Sequence, residues 1–371
     1  MTFAESVAVL MNEFVSRRRK DRMSARRMGV KAATRDLRLA GRSRRTALVL
    51  TALPTLAMVA TACTSTTAGS VRGTSARSSS SSSSNAGSPS SVSSSSEPGV
   101  KVHIKTLNSD RAQYGVGMPV IVFFSHTIKS GTALQGATKV TANGKPLTGA
   151  WYFETSSYYR GYPIEAHWRP KDYWPPHSQI HVDIPVKGLS GGGDLVFDDS
   201  LTLGFAIGAS HILTVDDSTH RLTVVSDGKT WATFPVSLGV TKTPTRSGIK
   251  VIMERLPTVC MHDIAGSYYE CGIKLDQRLT YDGEYLHSAP WNCVGYAGCA
   301  GPANDIGSAD SSNGCTNLRP ADAHKLYSFL EVGDVVVYPN ANGPRMQIGD
   351  GYGDWNLPWS VWQAGGLVPS S

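Results

Sequence analysis

The sequence predicts a mainly β chain with two consecutive β-rich domains, one helix in the second, a short C-terminal tail, and a long N-terminal stretch outside any core. Three observations carry this reading. From Gly99 onward, apolar runs are short, rich in β-branched and aromatic residues, and separated by turn residues. Helical periodicity is confined to one segment, where Ala323, Leu326, Tyr327 and Leu330 form an i, i+3, i+4, i+7 stripe. Residues 64–98 are dominated by serine, with an unbroken run from Ser78 to Ser84, and hold too little apolar surface to pack.

The elements divide the 371 residues into five segments. Residues 1–62 hold a basic extension and a secretory signal. Arg42, Arg44 and Arg45 precede an apolar run from Thr46 to Ala62, and Ala60-Thr61-Ala62 supplies small residues for cleavage ahead of Cys63. The extension before that signal is long, and Met23 and Met28 are alternative start sites. Residues 63–98 form a linker that, treated as a coil, reaches roughly 30 Å. Residues 99–205 read as an immunoglobulin-like sandwich, with strands at Val120–Phe124, Lys139–Ala142, Trp151–Phe153, Ile180–Ile184 and Leu201–Phe205. Asn143-Gly144 marks a hairpin between two of these strands.

Residues 206–340 form the second domain. Strands are expected at His211–Val215, Arg221–Ser226 and Trp231–Leu238, with a hairpin turn at Asp227-Gly228. A helix is expected from Pro320 to Leu330, because proline suits the first helical turn. Asp334–Tyr338 reads as a closing strand. Residues 341–371 form a tail expected to pack on the junction of the two domains.

Charge excludes one class of partner. Residues 1–62 hold 13 Lys+Arg against 4 Asp+Glu, whereas residues 63–371 hold 23 against 25. The net charge of +7 therefore belongs to the targeting region. A nucleic-acid footprint needs a basic patch on the folded domain, so no nucleic-acid partner is expected.

The chemistry centres on Ser312-Asn313-Gly314-Cys315-Thr316-Asn317 and on His287 in Tyr285-Leu286-His287-Ser288-Ala289-Pro290-Trp291. A thiol at its ordinary pKa of about 8.5 is mostly protonated at neutral pH, and a neighbouring imidazole can take the proton. His287 ends a strand-like run that can lie beside the Cys315 loop. Gly314 allows close backbone approach, which makes the Gly314 and Cys315 N–H groups natural oxyanion donors.

These motifs resemble the active-site signature of the L,D-transpeptidases, in which a histidine precedes a Ser/Thr-His-Gly-Cys-x-Asn segment. Further pieces carry the resemblance over roughly residues 105–366. Gly115-Val116-Gly117-Met118-Pro119-Val120 and Trp168-Arg169-Pro170-Lys171-Asp172-Tyr173-Trp174 look like the immunoglobulin-like module found before mycobacterial members. Pro235-Val236-Ser237-Leu238-Gly239 with Thr243-Pro244-Thr245-Arg246-Ser247-Gly248 looks like the opening of the catalytic domain, and Asp354-Trp355-Asn356-Leu357-Pro358-Trp359 like a tail segment. The nearby cluster of Tyr158, Tyr159, Tyr162, Trp168, Tyr173 and Trp174 reads as core and interdomain packing, with a glycan-stacking surface as the alternative.

The resemblance implies Cys315 as nucleophile, His287 as base, and the Ser288 backbone carbonyl as the acceptor orienting the imidazole. It implies Tyr269 in a substrate lid, Asp282-Gly283 along the donor site, and Asn317 holding substrate or the loop. The implied reaction is acyl transfer on peptidoglycan stem peptides. The thiolate attacks the L-centre carbonyl of the third-position meso-diaminopimelate and releases D-alanine. A second stem's side-chain amine then gives a 3→3 cross-link. Carbapenem β-lactams are implied covalent inhibitors, and no cofactor or metal is expected. A carboxypeptidase or a wall-binding pseudoenzyme is the alternative.

Two positions depart from the pattern. Asn313 stands where the family has a second histidine, which removes a group that can carry a proton but leaves an amide donor. The 28 positions from His287 to Cys315 exceed the usual spacing, and the extra loop holds Cys293 and Cys299. It is expected to be an insertion at the mouth of the site, closed by a local disulfide, that reshapes acceptor access, with a harmless surface insertion as the alternative.

Cysteine usage fits an exported protein. Cys63 after the cleavage site resembles a lipobox, implying a lipid anchor on the outer face of the cell membrane, with an uncleaved anchor as the alternative. With Cys63 and Cys315 assigned, Cys260, Cys271, Cys293 and Cys299 remain as two disulfides. Sequence proximity suggests Cys260–Cys271 and Cys293–Cys299 among three possible pairings. Zinc held with His262 is the competing reading, though the spacing matches no common zinc pattern.

Overall fold

Alternating burial along short strands builds two β-rich domains in a computed structural model that describes residues 99–156, 159–262 and 269–368. The signal, Cys63, the linker and Tyr158 lie outside the described residues.

Beside a small third sheet of Val100–Val102, Leu195–Phe197 and Ser190–Gly192, two larger sheets form the sandwich of the first domain. One runs Ile104–Thr106, Val120–Phe124, Ile164–Pro170 and Gly149–Thr155 in spatial order. The other runs Gln113–Tyr114, Leu201–Ile207, Ser178–Ile184, Lys139–Ala142 and Lys145–Pro146. Val122, Phe124, Trp151, Phe153, Ile180, Val182 and Phe205 fill the space between them. This is the immunoglobulin-like sandwich that the strand spacing predicts.

Details differ from expectation. The Asn143-Gly144 turn, with φ of 49° and 75°, joins Lys139–Ala142 to the two-residue strand Lys145–Pro146. The Gly149–Thr155 strand belongs to the other sheet, because its apolar residues face the sandwich interior. Trp168 and Trp174 are buried and tilted 32° at 5.4 Å. Lys105 lies over Tyr159 at 3.2 Å and Tyr162 at 4.4 Å, and Tyr173 packs on Trp355 at 4.5 Å. The aromatic side chains are thus used within the protein rather than as a stacking platform.

Ile164–Pro170 is buried on both faces and was not anticipated as a strand. Ile164, Ala166 and Trp168 enter the core, while Glu165, His167 and Arg169 alternate onto the opposite face. One face of an antiparallel sheet is commonly solvated. Here the C-terminal tail covers it. Phe153 bridges Gly366, Trp362 stacks on Tyr152 at 5.0 Å and donates to Ala150 O at 2.8 Å, and Arg169 donates to Leu357 O at 3.1 Å. The same tail reaches the second domain, where Asn356 exchanges hydrogen bonds of 2.8 and 2.6 Å with the Ile249 backbone. Trp362 is fully buried, so Trp362→Ala should cost about 3–5 kcal/mol in urea unfolding. A loss below about 1 kcal/mol would show that the tail does not hold the sandwich.

The second domain pairs a six-stranded sheet with a four-stranded one. The first orders Lys229–Pro235, Arg221–Ser226, His211–Asp216, Val335–Tyr338, Arg246–Val251 and Gly343–Arg345. The second orders Glu254–His262, Tyr269–Arg278, Tyr285–Ser288 and Thr316–Leu318. The helix Pro320–Phe329 buries Ala323 and Leu326 in the core shared by the two sheets. Short α-helices at Thr132–Ala137 and Trp359–Gln363 and 3-10 turns at Pro290–Asn292 and Asp354–Asn356 complete the helical content among the described residues.

Candidate active site

Strand pairing sets the site. Tyr285–Ser288 and Thr316–Leu318 run parallel, with Leu286 opposite Thr316 and His287 opposite Asn317. Cys315 immediately precedes the second strand. Continuing the register sets Cys315 beside Tyr285, so Cys315, Asn317, Tyr285 and His287 share one face by the period of two. Cys315 is the free cysteine among the described residues and is buried, against Met261, Ile273 and Tyr285.

Backbone geometry aims the thiol. Gly314 has φ of 110° and Gly283 has φ of 105°, a region that side-chain-bearing residues rarely enter. The Gly283 carbonyl accepts from the Cys315 thiol at 3.5 Å. His287 is buried, and its Nδ1 lies 3.0 Å from Ser288 O. That bond assigns the proton to Nδ1 and leaves Nε2 with its lone pair.

Burial sets the protonation states. It pushes the Cys315 thiol up to about 12, although the Tyr285 N–H pulls the other way. It pushes His287 down to about 4, against the opposing bond to Ser288. The resting pair is therefore neutral thiol and neutral imidazole rather than thiolate and imidazolium.

The oxyanion expectation needs a correction. The Gly314 N–H donates to Ser312 Oγ at 3.1 Å, and Ser312 Oγ donates to Cys315 O at 2.6 Å. Gly314 is committed to holding the turn. Asn313 is exposed, and its Oδ1 accepts from Thr243 at 3.3 Å, which leaves its amide N–H groups as donors.

The other expected residues take distinct positions. Asp282 is tied to Arg246 at 2.6 Å beside Gly283. Tyr269 is 71% exposed, near the end of the Glu254–His262/Tyr269–Arg278 hairpin that the Cys260–Cys271 disulfide links. That hairpin reaches the thiol through Met261 and Ile273. Asn317 is buried, with its Nδ2 donating to Asn292 Oδ1 at 2.7 Å, so its side chain grips the loop rather than facing substrate. Asn292 in turn donates to Asp305 at 3.1 Å. The extra loop carries the Cys293–Cys299 disulfide and presents Trp291, Val294 and Tyr296 outward. The Trp291 ring sits 5.9 Å from the His287 ring, so the loop borders the base.

Two groups escaped the sequence reading. Lys250 is fully buried, bonds Glu284, and lies 3.9 Å from the Tyr338 ring. Glu284 also accepts from the Arg246 N–H at 2.8 Å, and its side chain lies next to Gly314. The available signal was a lysine inside the apolar run Ile249-Lys250-Val251-Ile252.

Residues 210–337 match the model of YkuD, the L,D-transpeptidase catalytic domain, and residues 66–190 match a bacterial Ig domain. The chain carries an L,D-transpeptidase catalytic domain behind an immunoglobulin-like domain. It is 32% identical to L,D-transpeptidase 2 of Mycobacterium tuberculosis (strain CDC 1551 / Oshkosh) over 68% of its own length and 59% of that protein. It is 28% identical to L,D-transpeptidase 5 of M. tuberculosis (strain ATCC 25618 / H37Rv) over 72% of this chain and 58% of that one. The chain thus spans less than two thirds of either relative. The structure of the LD transpeptidase LdtMt1 in complex with imipenem superposes with a TM-score of 0.50 at 27% identity, covering 63% of this chain and 97% of that one.

Proposed function

We propose that this protein is an L,D-transpeptidase that forms 3→3 peptidoglycan cross-links by acyl transfer through Cys315. The observation that supports this reading is the free thiol on the same face of the strand pair as an oriented imidazole two positions along. In the proposed first half-reaction His287 Nε2 takes the thiol proton as sulfur attacks the carbonyl, because the resting pair is neutral. The developing oxyanion is met by the Cys315 N–H and the Asn313 amide. The imidazolium then returns its proton to the departing D-alanine amine, leaving a thioester. The side-chain amine of an acceptor stem resolves it, with His287 taking the amine proton. By the same chemistry a carbapenem such as imipenem acylates Cys315.

Targeting supports an extracytoplasmic enzyme anchored through Cys63 at the cell membrane, with the serine-rich linker letting it reach the wall. The test is incubation with disaccharide-tetrapeptide and mass analysis of products. Release of D-alanine with a cross-linked dimer is expected. Release without dimer would indicate an L,D-carboxypeptidase, and neither product would favour a wall-binding protein. Asn313→His should keep or raise turnover, because both side chains can donate to the oxyanion. Loss of turnover in that variant would overturn the role given to Asn313.

A further inference from the structure

The tail-covered face of the immunoglobulin-like sheet holds a cluster that the acyl-transfer chemistry does not use. Glu154 lies directly opposite Glu165 across the two strands, and His167 follows Glu165 on the same face. Their side chains are 8%, 1% and 0% exposed. His167 Nε2 has no hydrogen-bond partner, and neither do Glu154 Oε1 and Glu165 Oε2. Buried polar atoms are normally satisfied, so an unpartnered Nε2 facing an unpartnered Glu154 Oε1, beside a Glu165 carboxylate with one oxygen unpartnered, calls for a missing partner.

The imidazole is set to receive a cation. His167 Nδ1 donates to Asp354 Oδ1 at 2.7 Å, which turns Nε2 toward the Glu154 and Glu165 carboxylates. A histidine whose far nitrogen donates to a carboxylate is the usual support for a metal-bound imidazole. Nε2 lies 3.7 Å from Glu154 Oε1 and 3.5 Å from Glu165 Oε1. Ligands at 2.0–2.2 Å around tetrahedral zinc stand about 3.4 Å apart. The spacing therefore suits a cation between the three atoms. An imidazole with two carboxylates favours zinc over calcium or magnesium, which take oxygen ligands, and the two carboxylates balance its charge.

We propose that Glu154, Glu165 and His167 bind a structural zinc ion, with Asp354 of the tail orienting His167. The ion would lock the tail onto the immunoglobulin-like domain. The sequence reading weighed zinc only at the cysteines, and this site uses none of them.

The test uses the full chain with its free thiols alkylated, unfolded in denaturant with chelator and refolded with or without zinc, disulfides intact. Metal is counted by mass spectrometry and Tm is measured. One bound equivalent is expected, with Tm about 5 °C above the metal-free protein. Glu154→Gln/Glu165→Gln keeps the side-chain shapes and should fold, yet bind no zinc and show a Tm that zinc does not move. Wild type that refolds without taking up zinc would overturn the site and leave a proton-sharing cluster. Equal uptake by the double variant would also overturn it. If His220→Asn then abolished that uptake, the metal would belong to the Asp217, His220 and Asp310 group instead. None of these readouts depends on Cys315.

Discussion

Replacing His287 with alanine should slow acylation of Cys315 by about 10²–10⁴-fold, the usual worth of a positioned general base. The resting thiol is pushed up to about 12 and cannot ionise by itself at neutral pH. Without an acceptor for its proton, attack stalls. The pH profile adds a sharper expectation. His287 is held down at about 4, so it stays an unprotonated base from pH 5 upward. Acylation by the wild type should therefore be flat from about pH 5.5 to 8, with no limb near the ordinary histidine value of about 6.5. A limb near 6.5 would show that His287 titrates at the ordinary histidine value and is not held down by burial.

The same shifts bear on stability. The folded pKa of His287 is depressed, so the unfolded chain takes up a proton first and stability falls as pH drops from about 6.5 toward 4. The folded pKa of Cys315 is raised, so the unfolded chain loses its proton first and stability falls as pH rises past about 8.5.

Lys250→Met should destabilise the fold by about 3–5 kcal/mol, because it strands the buried Glu284 carboxylate without its partner. Burial lowers Lys250 and raises Glu284, so each ion depends on the other to stay charged. The double change Lys250→Met/Glu284→Gln should recover most of that loss, since paired removal leaves no lone charge. Urea unfolding of the two single variants and the double variant measures the coupling. Additive losses would show that the pair does not act as a unit. Glu284 also adjoins Gly314, so Lys250→Met should lower Cys315 reactivity as well.

The sequence made most strands legible where one face was polar and the other apolar. Arg221–Ser226 coincides with expectation for that reason, Val120–Phe124 because it is a short continuous apolar run, and the Asp227-Gly228 turn, with φ of 47° and 78°, because of its turn residues. Pro320–Phe329 was legible from its proline start and apolar stripe. Ile164–Pro170 was not, because Glu165, His167 and Arg169 read as solvated positions until the tail covers them. The Glu254–His262 and Tyr269–Arg278 hairpin was also missed, since many of its side chains near the end remain exposed and carry no core signal. In the site, motif residues announce themselves by spacing. Their supports do not, because Asn292 meets Asn317 only through a loop that folds back across 25 positions.

The most direct test of the account is the intact mass of the full chain after mixing with imipenem, followed by peptide mapping. A single covalent adduct is expected on the peptide holding Cys315, and none in Cys315→Ala. An adduct elsewhere, or no adduct on folded protein with Cys315 reduced, would contradict the assignment of Cys315 as the acyl acceptor.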